Sequence, residues 1–235
     1  GGARSIFALD VTNPSAFNTS KVLWEFTSAD DADMGYVIGQ PQILKLRTSA
    51  TDLTYKWFAV VASGVNNYAD DGSGNFSSTG KPALFILSLD KDASSSWVLN
   101  GNYYKVSLPI DSLLTENRPT GLANFTPIFG AADEVREIFM GDYYGNVWNL
   151  QFNIRGTSTW RPPSEWDSYN LSPFKNSTRA YPFYIAKYIV GDDEINQVIH
   201  EAPLVARGPI VAQAESFFVF FGTGIELTSV EFTCV

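Results

Sequence analysis

The chain has 235 residues, 45% of them hydrophobic and 17% charged, and 16 Lys and Arg stand against 25 Asp and Glu. That apolar fraction supports a sizeable core and excludes a disordered chain. A net charge of −9 argues against a nucleic-acid partner, which needs clustered cations, and no apolar run approaches the ~18 residues of a membrane helix, so no membrane insertion is expected.

Gly1 is not a methionine and no signal-peptide pattern follows it, so the chain is expected to be a piece of a longer protein. Ser5 to Val11 reads as a strand, the turn Thr12-Asn13-Pro14 follows, and Lys21 to Phe26 alternates as a second strand. Asp30, Asp31 and Asp33 form an acidic loop. Gly39 to Leu46 and the apolar run Lys56 to Gly64 are the next strands, and Val65 to Lys81 is a long Asn, Asp, Gly and Ser-rich loop. Pro82 to Asp90 resembles residues 5–11, and a further strand is expected at Ser96 to Leu99 or Tyr103 to Leu108.

Asn124 to Phe129 opens the next stretch. Glu137 to Phe152 then reads as two strands around Gly141-Asp142-Tyr143-Tyr144-Gly145-Asn146, where Gly and Asn tolerate the positive φ of a reversal. Residues 153–180 are rich in Pro, Ser and Asn and carry Trp160, Trp166 and Phe174, which reads as a long ordered insertion. Tyr181 to Val190 is strand-like, and Glu201 to Val205 and Ser216 to Gly224 complete the strands.

These strands recur in one order. A Pro precedes or splits a short apolar segment at Gln40 to Ile43, Thr126 to Phe129 and Ala202 to Val205. An apolar strand ending at Gly comes next, at Ala59 to Gly64, Ile138 to Gly141 and Phe217 to Gly222. An aromatic-bearing strand is third, at Ile6 to Val11, Leu84 to Leu89 and Val147 to Phe152, and an aromatic strand often closes the unit. Four strands per unit, repeated, is the sequence form of a β-propeller blade. The fold class expected is therefore all-β: a propeller of four-stranded blades, residues 1–235 being one such domain or part of one. A β-sandwich of similar strands is the rival. The passes begin near residues 40, 126 and 202, farther apart than the ~40–45 residues of a plain blade, so long loops are expected inside each unit.

Candidate sites are few. Asp70, Asp71 and Asn75 offer oxygens around Gly72 and Gly74, a weak cation loop without the following bidentate Glu of an EF-hand. A solvated loop explains them as well. Asp30, Asp31 and Asp33 are a second candidate cation cluster, which turn initiation and solubility explain at least as well. His200 is the only histidine, which excludes a multi-histidine zinc site, and next to Glu201 it reads as a hydrogen-bonded strand residue. No G-x-S-x-G marks a serine nucleophile and Cys234, the single cysteine, has no evident base. No enzyme is expected. Trp24, Trp57, Trp97 and Trp148 read as strand-packing residues. Trp160, Trp166, Tyr169 and Phe174 in the insertion either anchor a partner protein or fold the insertion onto the sheets.

With these segments in order, the chain resembles the C-terminal domain of the type IV pilus-tip and biogenesis proteins PilY1 and PilC. The resemblance runs through Gly2 to Pro14, Trp24-Glu25-Phe26, Gly35-Tyr36, Gln40-Pro41, Gly64 to Asn67 and Ala83 to Asp90. Gly141-Asp142-x-x-Gly145-Asn146-x-Trp148 and Phe221-Gly222-Thr223-Gly224 are its most specific parts. It implies a modified quinoprotein-like propeller in a large protein at the bacterial surface and pilus tip, exported through the periplasm and outer membrane. Implied roles are pilus assembly, control of retraction and attachment, with minor pilins and a host-cell or surface receptor as partners. A propeller scaffold in another secreted complex and a quinone-dependent dehydrogenase relative are the alternatives. The resemblance also implies an Asp-rich calcium loop before the Gly141-Asp142 motif. Here the expected ligand positions fall on or near Gly130, Ala132 and Arg136, so calcium, the one cofactor implied, is not expected at residues 129–137.

Overall fold

In a computed structural model, residues 3–110, 120–211 and 215–224 of the chain are described. Cys234 lies outside them. The strands are β1 (Ser5–Leu9), β2 (Val22–Thr27), β3 (Gln42–Arg47), β4 (Tyr55–Ala62), β5 (Gly64–Val65), β6 (Ala83–Ser88), β7 (Tyr103–Ser107) and β8 (Gly121–Phe129). They continue as β9 (Val135–Asp142), β10 (Asn146–Gln151), β11 (Tyr184–Ile185), β12 (Lys187–Val190), β13 (Asp193–Asn196), β14 (Leu204–Arg207) and β15 (Phe217–Phe220). The one α-helix among the described residues is α1 (Ser168–Leu171), a single turn capped by the Asp167 side chain.

The molecule is all-β, built from antiparallel sheets. One sheet has the order β3-β4-β6-β7 and the other β11-β10-β9-β8-β5. Both run as meanders in chain order, apart from β5, which leaves the first unit to pair with β8 of the second. The hairpins β1-β2, β12-β13 and β14-β15 stand beside them. Each predicted strand region up to Phe152 contains an observed strand, except that Tyr103 rather than Trp97 starts the fourth strand of the first sheet. Trp97 instead meets Trp24 and Phe26 edge-on. Trp57 departs from the packing expectation: it lies near the start of β4, paired with Lys45 of β3, but its side chain is 53% exposed.

The pleat explains the layering. Leu44, Phe58, Val60 and Ile86 point from the first sheet onto Phe125, Ile138, Met140 and Trp148 of the second. The alternate residues Ala59, Val61, Phe85 and Leu87 face Trp24 and Phe26 of the first hairpin. Thus β6 is buried on both faces, which is why its sequence is a continuous apolar run rather than an alternating one. On the far face of the second sheet, Val147, Ala186 and Ile199 meet Val219 and Phe221.

The unit junction depends on Gly64. Its φ is +75°, and a Cβ there would overlap the Tyr36 carbonyl. That close approach lets Tyr36 and Val65 exchange backbone hydrogen bonds of 2.8 and 3.0 Å, which ties the strand end to the entry of the same unit.

Burial sets the expected mutational pattern. Ile138→Ala, at a fully buried site between the sheets, should cost roughly 2–5 kcal/mol in urea unfolding. Ile43→Ala, at a 55% exposed position of β3, should stay within about 0.5 kcal/mol.

Candidate functional site

The turn between β9 and β10 is built on one carboxylate. Asp142 is fully buried. Its Oδ1 accepts the backbone N–H groups of Tyr144 at 2.8 Å and Asn146 at 3.0 Å. Its Oδ2 accepts the Asn146 amide at 3.0 Å and the Trp148 indole N–H at 2.8 Å. Gly145 takes φ +78°, and a Cβ there would press on the carbonyls of Gln197 and Ala186. The turn thus closes within itself and docks the 186–199 segment, whose Ile199 N–H donates to the Asp142 carbonyl at 3.1 Å. Burial pushes the Asp142 pKa up to about 6, against the four donors that favour the ionised form.

A second loop repeats this device. Asp71 Oδ1 accepts the N–H groups of Ser73 at 2.7 Å and Asn75 at 3.2 Å, and Oδ2 accepts the Asn75 amide at 2.9 Å and the Ser28 hydroxyl at 2.8 Å. Both loops read Asp-x-x-Gly-Asn, with Gly74 and Gly145 at positive φ. The Asn75 and Ser28 side chains, with backbone support, hold Asp71 well below the ordinary carboxylate range. Asp70 Oδ1 likewise takes the N–H groups of Gly72 and Gly74. The carbonyls of Asn66, Ala69 and Asn75 converge on the Arg4 guanidinium. Asp70 Oδ1 and both carboxylate oxygens of Asp71 thus accept hydrogen bonds from the protein's own donors.

At residues 129–137 the chain makes a tight turn into β9. The Gly130 N–H bonds the Glu134 carbonyl at 2.7 Å and the Glu134 carboxylate accepts the Ala132 N–H at 2.8 Å. A side chain at position 130 would run into the Glu134 carboxylate. Lys45 Nζ donates to the Ala132 carbonyl at 2.8 Å, and Arg136 pairs with Glu215 at 3.0 Å. An ammonium and a guanidinium thus border the segment, a donor set unsuited to a cation.

The other candidates separate. Asp31 and Asp33 both bind Lys105 Nζ, at 2.9 and 2.8 Å. His200 Nδ1 lies 2.6 Å from the Tyr143 hydroxyl, and its carbonyl accepts the Asn124 amide at 3.0 Å, so it is hydrogen-bonded as expected, but it lies between β13 and β14 rather than in a strand. Trp160 and Trp166 are buried, and Trp166 packs edge-on against Phe58, Tyr104 and Phe152. These two fold the insertion down onto the sheets. Tyr169 and Phe174 remain partly exposed, at 40% and 38%. Sequence reasoning missed Arg4, and it missed the bidentate Arg155–Glu137 pair, 2.9 and 2.6 Å, beneath the insertion. It also missed Asp142 as the centre of its turn. The repeated Asp-x-x-Gly-Asn spacing was the signal that would have found it.

No family model matches the chain. A PilY1 homologue of Xylella fastidiosa, described as a type IV pilus biogenesis factor, is 30% identical over 225 residues, 95% of this chain and 13% of that protein. The PilY1 of Pseudomonas aeruginosa strain UCBPP-PA14 is 27% identical over 237 residues, 95% of this chain and 17% of that protein. The crystal structure of the Pseudomonas aeruginosa PilY1 C-terminal domain superposes with a TM-score of 0.65 at 22% identity, over 97% of this chain and 40% of that one. The chain is similar in sequence to PilY1 proteins and in fold to the PilY1 C-terminal domain. It spans less than a fifth of these PilY1 relatives. The Asp142 turn therefore belongs to a PilY1-like fold, and its donors leave the carboxylate no free position for chemistry.

Substitution of that carboxylate has a defined signature. In Asp142→Asn an amide N–H₂ faces existing donors, so stability at pH 7 should fall by roughly 2–4 kcal/mol. Because the folded pKa, about 6, lies above the ordinary 3.8, the folded state binds the extra proton between them. Its stabilising effect is present below about pH 4 and is lost as pH rises through 6. Urea midpoints measured from pH 4 to 7 should show that decline in the wild type and lack it in Asp142→Asn.

Proposed function

We propose that this chain is part of a non-enzymatic type IV pilus biogenesis factor at the bacterial surface, carried at the pilus tip. The observation that carries the reading is similarity to PilY1 proteins along 95% of the chain. The similarity of fold supports it. In this reading the two large sheets are successive blades of a propeller, the first entered through Pro41 just before β3 and the second carrying Pro127 in β8, and residues 153–180 are an insertion between the last two strands of the second blade. Closely packed blades offer a rigid body from which loops reach partners. The partners proposed are minor pilins of the tip complex and a host-cell or surface receptor, and the roles are assembly, control of retraction and attachment. Tyr169 and Phe174 are the insertion aromatics left accessible for such a contact.

Deleting the coding region for residues 1–235 from the parent gene should remove surface pili or lower attachment to the level of a strain without pili. Normal piliation together with normal attachment would overturn the reading.

The same reading has no resident calcium at residues 129–137, where Lys45 and Arg136 border the turn, or at 70–75, where both Asp71 oxygens and Asp70 Oδ1 accept protein donors. Thermal melts with and without about 1 mM calcium should then coincide. A bound ion would stabilise the folded state by mass action and raise the midpoint by several degrees.

A further inference from the structure

Lys105 occupies an unusual place among the ion pairs of the described residues. Its amine lies between two carboxylates, 2.9 Å from Asp31 and 2.8 Å from Asp33 Oδ2. All three side chains are largely withdrawn from solvent, at 19%, 7% and 16% exposure. The other lysine pairs, Lys21–Asp10, Lys56–Asp90 and Lys187–Glu194, each offer one carboxylate. The buried Glu137 is held by an arginine, whose guanidinium is no nucleophile.

The surroundings fix both acids. Asp33 Oδ1 accepts the Ser77 hydroxyl, and the Asp33 carbonyl accepts the Asn67 amide at 3.0 Å. Asp31 accepts the Tyr103 hydroxyl and the Asp33 N–H, both at 3.0 Å. Tyr103 packs in turn against Phe26, Phe85 and Trp97. Burial pulls Lys105 toward the neutral amine, but its bonds to Asp33 and Asp31 outweigh that and keep it charged.

We propose that this cluster closes into a covalent isopeptide bond between Lys105 Nζ and Asp33 Cγ. An ammonium beside a carboxylate already contains every atom of an amide plus one water. Asp31 takes one proton from the ammonium, and the freed amine attacks Asp33 Cγ. The new N–C bond forms while the Ser77 hydroxyl stabilises the oxygen that gains charge. The second proton leaves the nitrogen, the C–Oδ2 bond breaks, and both protons depart with that oxygen as water. No oxidant or further reactant is needed. Fixed geometry supplies the encounter, and the step has to occur only once in the life of the molecule. The product replaces an ion pair in a half-dry site with a neutral amide, which removes a desolvation cost. Asp33 belongs to the loop after β2, and Lys105 to β7 at the edge of the first sheet. The bond would fasten the first hairpin to that sheet against a pulling force.

Intact-mass spectrometry of the purified chain tests this without reference to the pilus reading. The wild type should weigh one water less than its sequence, and a digest should yield a branched peptide joining Lys105 to Asp33. Lys105→Arg and Asp33→Ala should both return the full sequence mass, and Asp31→Asn should slow conversion and leave a mixture. A wild type at full sequence mass overturns the proposal. So does a water loss that persists in Lys105→Arg, or a branch at Asp31.

Discussion

The fold of the second sheet turns on a single buried anion. A carboxylate removed from water is costly unless its lone pairs are met. At Asp142 two backbone N–H groups, one amide and one indole meet them, all from the next six residues. Charge-assisted bonds of this kind are roughly twice as strong as neutral ones. The consequences spread along the chain. The reversal sets the register in which Val147 faces Gly141 and Trp148 faces Met140. The indole is thereby held in the layer between the two sheets. The Asp142 carbonyl receives the Ile199 N–H, which positions the segment leading to β14.

The same use of acids recurs elsewhere. Asp71 closes its own loop, Asp31 and Asp33 hold Lys105, and Glu137 grips Arg155. A chain with nine excess negative charges thus commits several carboxylates to internal architecture. Where carboxylates serve turns, the loops that carry them are shaped by the protein rather than by an added ion. The loops around the two large sheets are held the same way. Arg4 reaches across to the 66–75 segment through three carbonyls, and two tryptophans of the insertion are buried.

Strand content was legible in the sequence because the chain alternates where one face is solvated, as in β2, and runs continuously apolar where both are covered, as in β6. The strand order of the two large sheets was legible because in both the second strand is followed by a glycine at positive φ, Gly64 and Gly145. Side-chain destinations were less so. Trp160 and Trp166 look alike from composition whether they reach outward or inward, and only the sheet beneath them decides. Trp57 illustrates the converse: it sits on a largely buried strand yet its own side chain is half exposed. The acids of the 70–75 loop resembled ligands because carboxylate spacing in a cation loop and in a self-capped turn is similar. In the structure Arg4 bonds the carbonyls of Asn66, Ala69 and Asn75 while Ser28 bonds Asp71. Those contacts join segments distant in the chain, so no local pattern carries them.

Asp142 is thus a structural anion whose turn opens only when the sheet does. Hydrogen exchange read residue by residue tests this most directly. The N–H groups of Tyr144 and Asn146 and the indole N–H of Trp148 should exchange as slowly as the core amides of β9 and β10, through global unfolding alone. Fast exchange at these three groups while the strand amides stay protected would contradict it, since the turn would then open independently of the sheet it is held to organise.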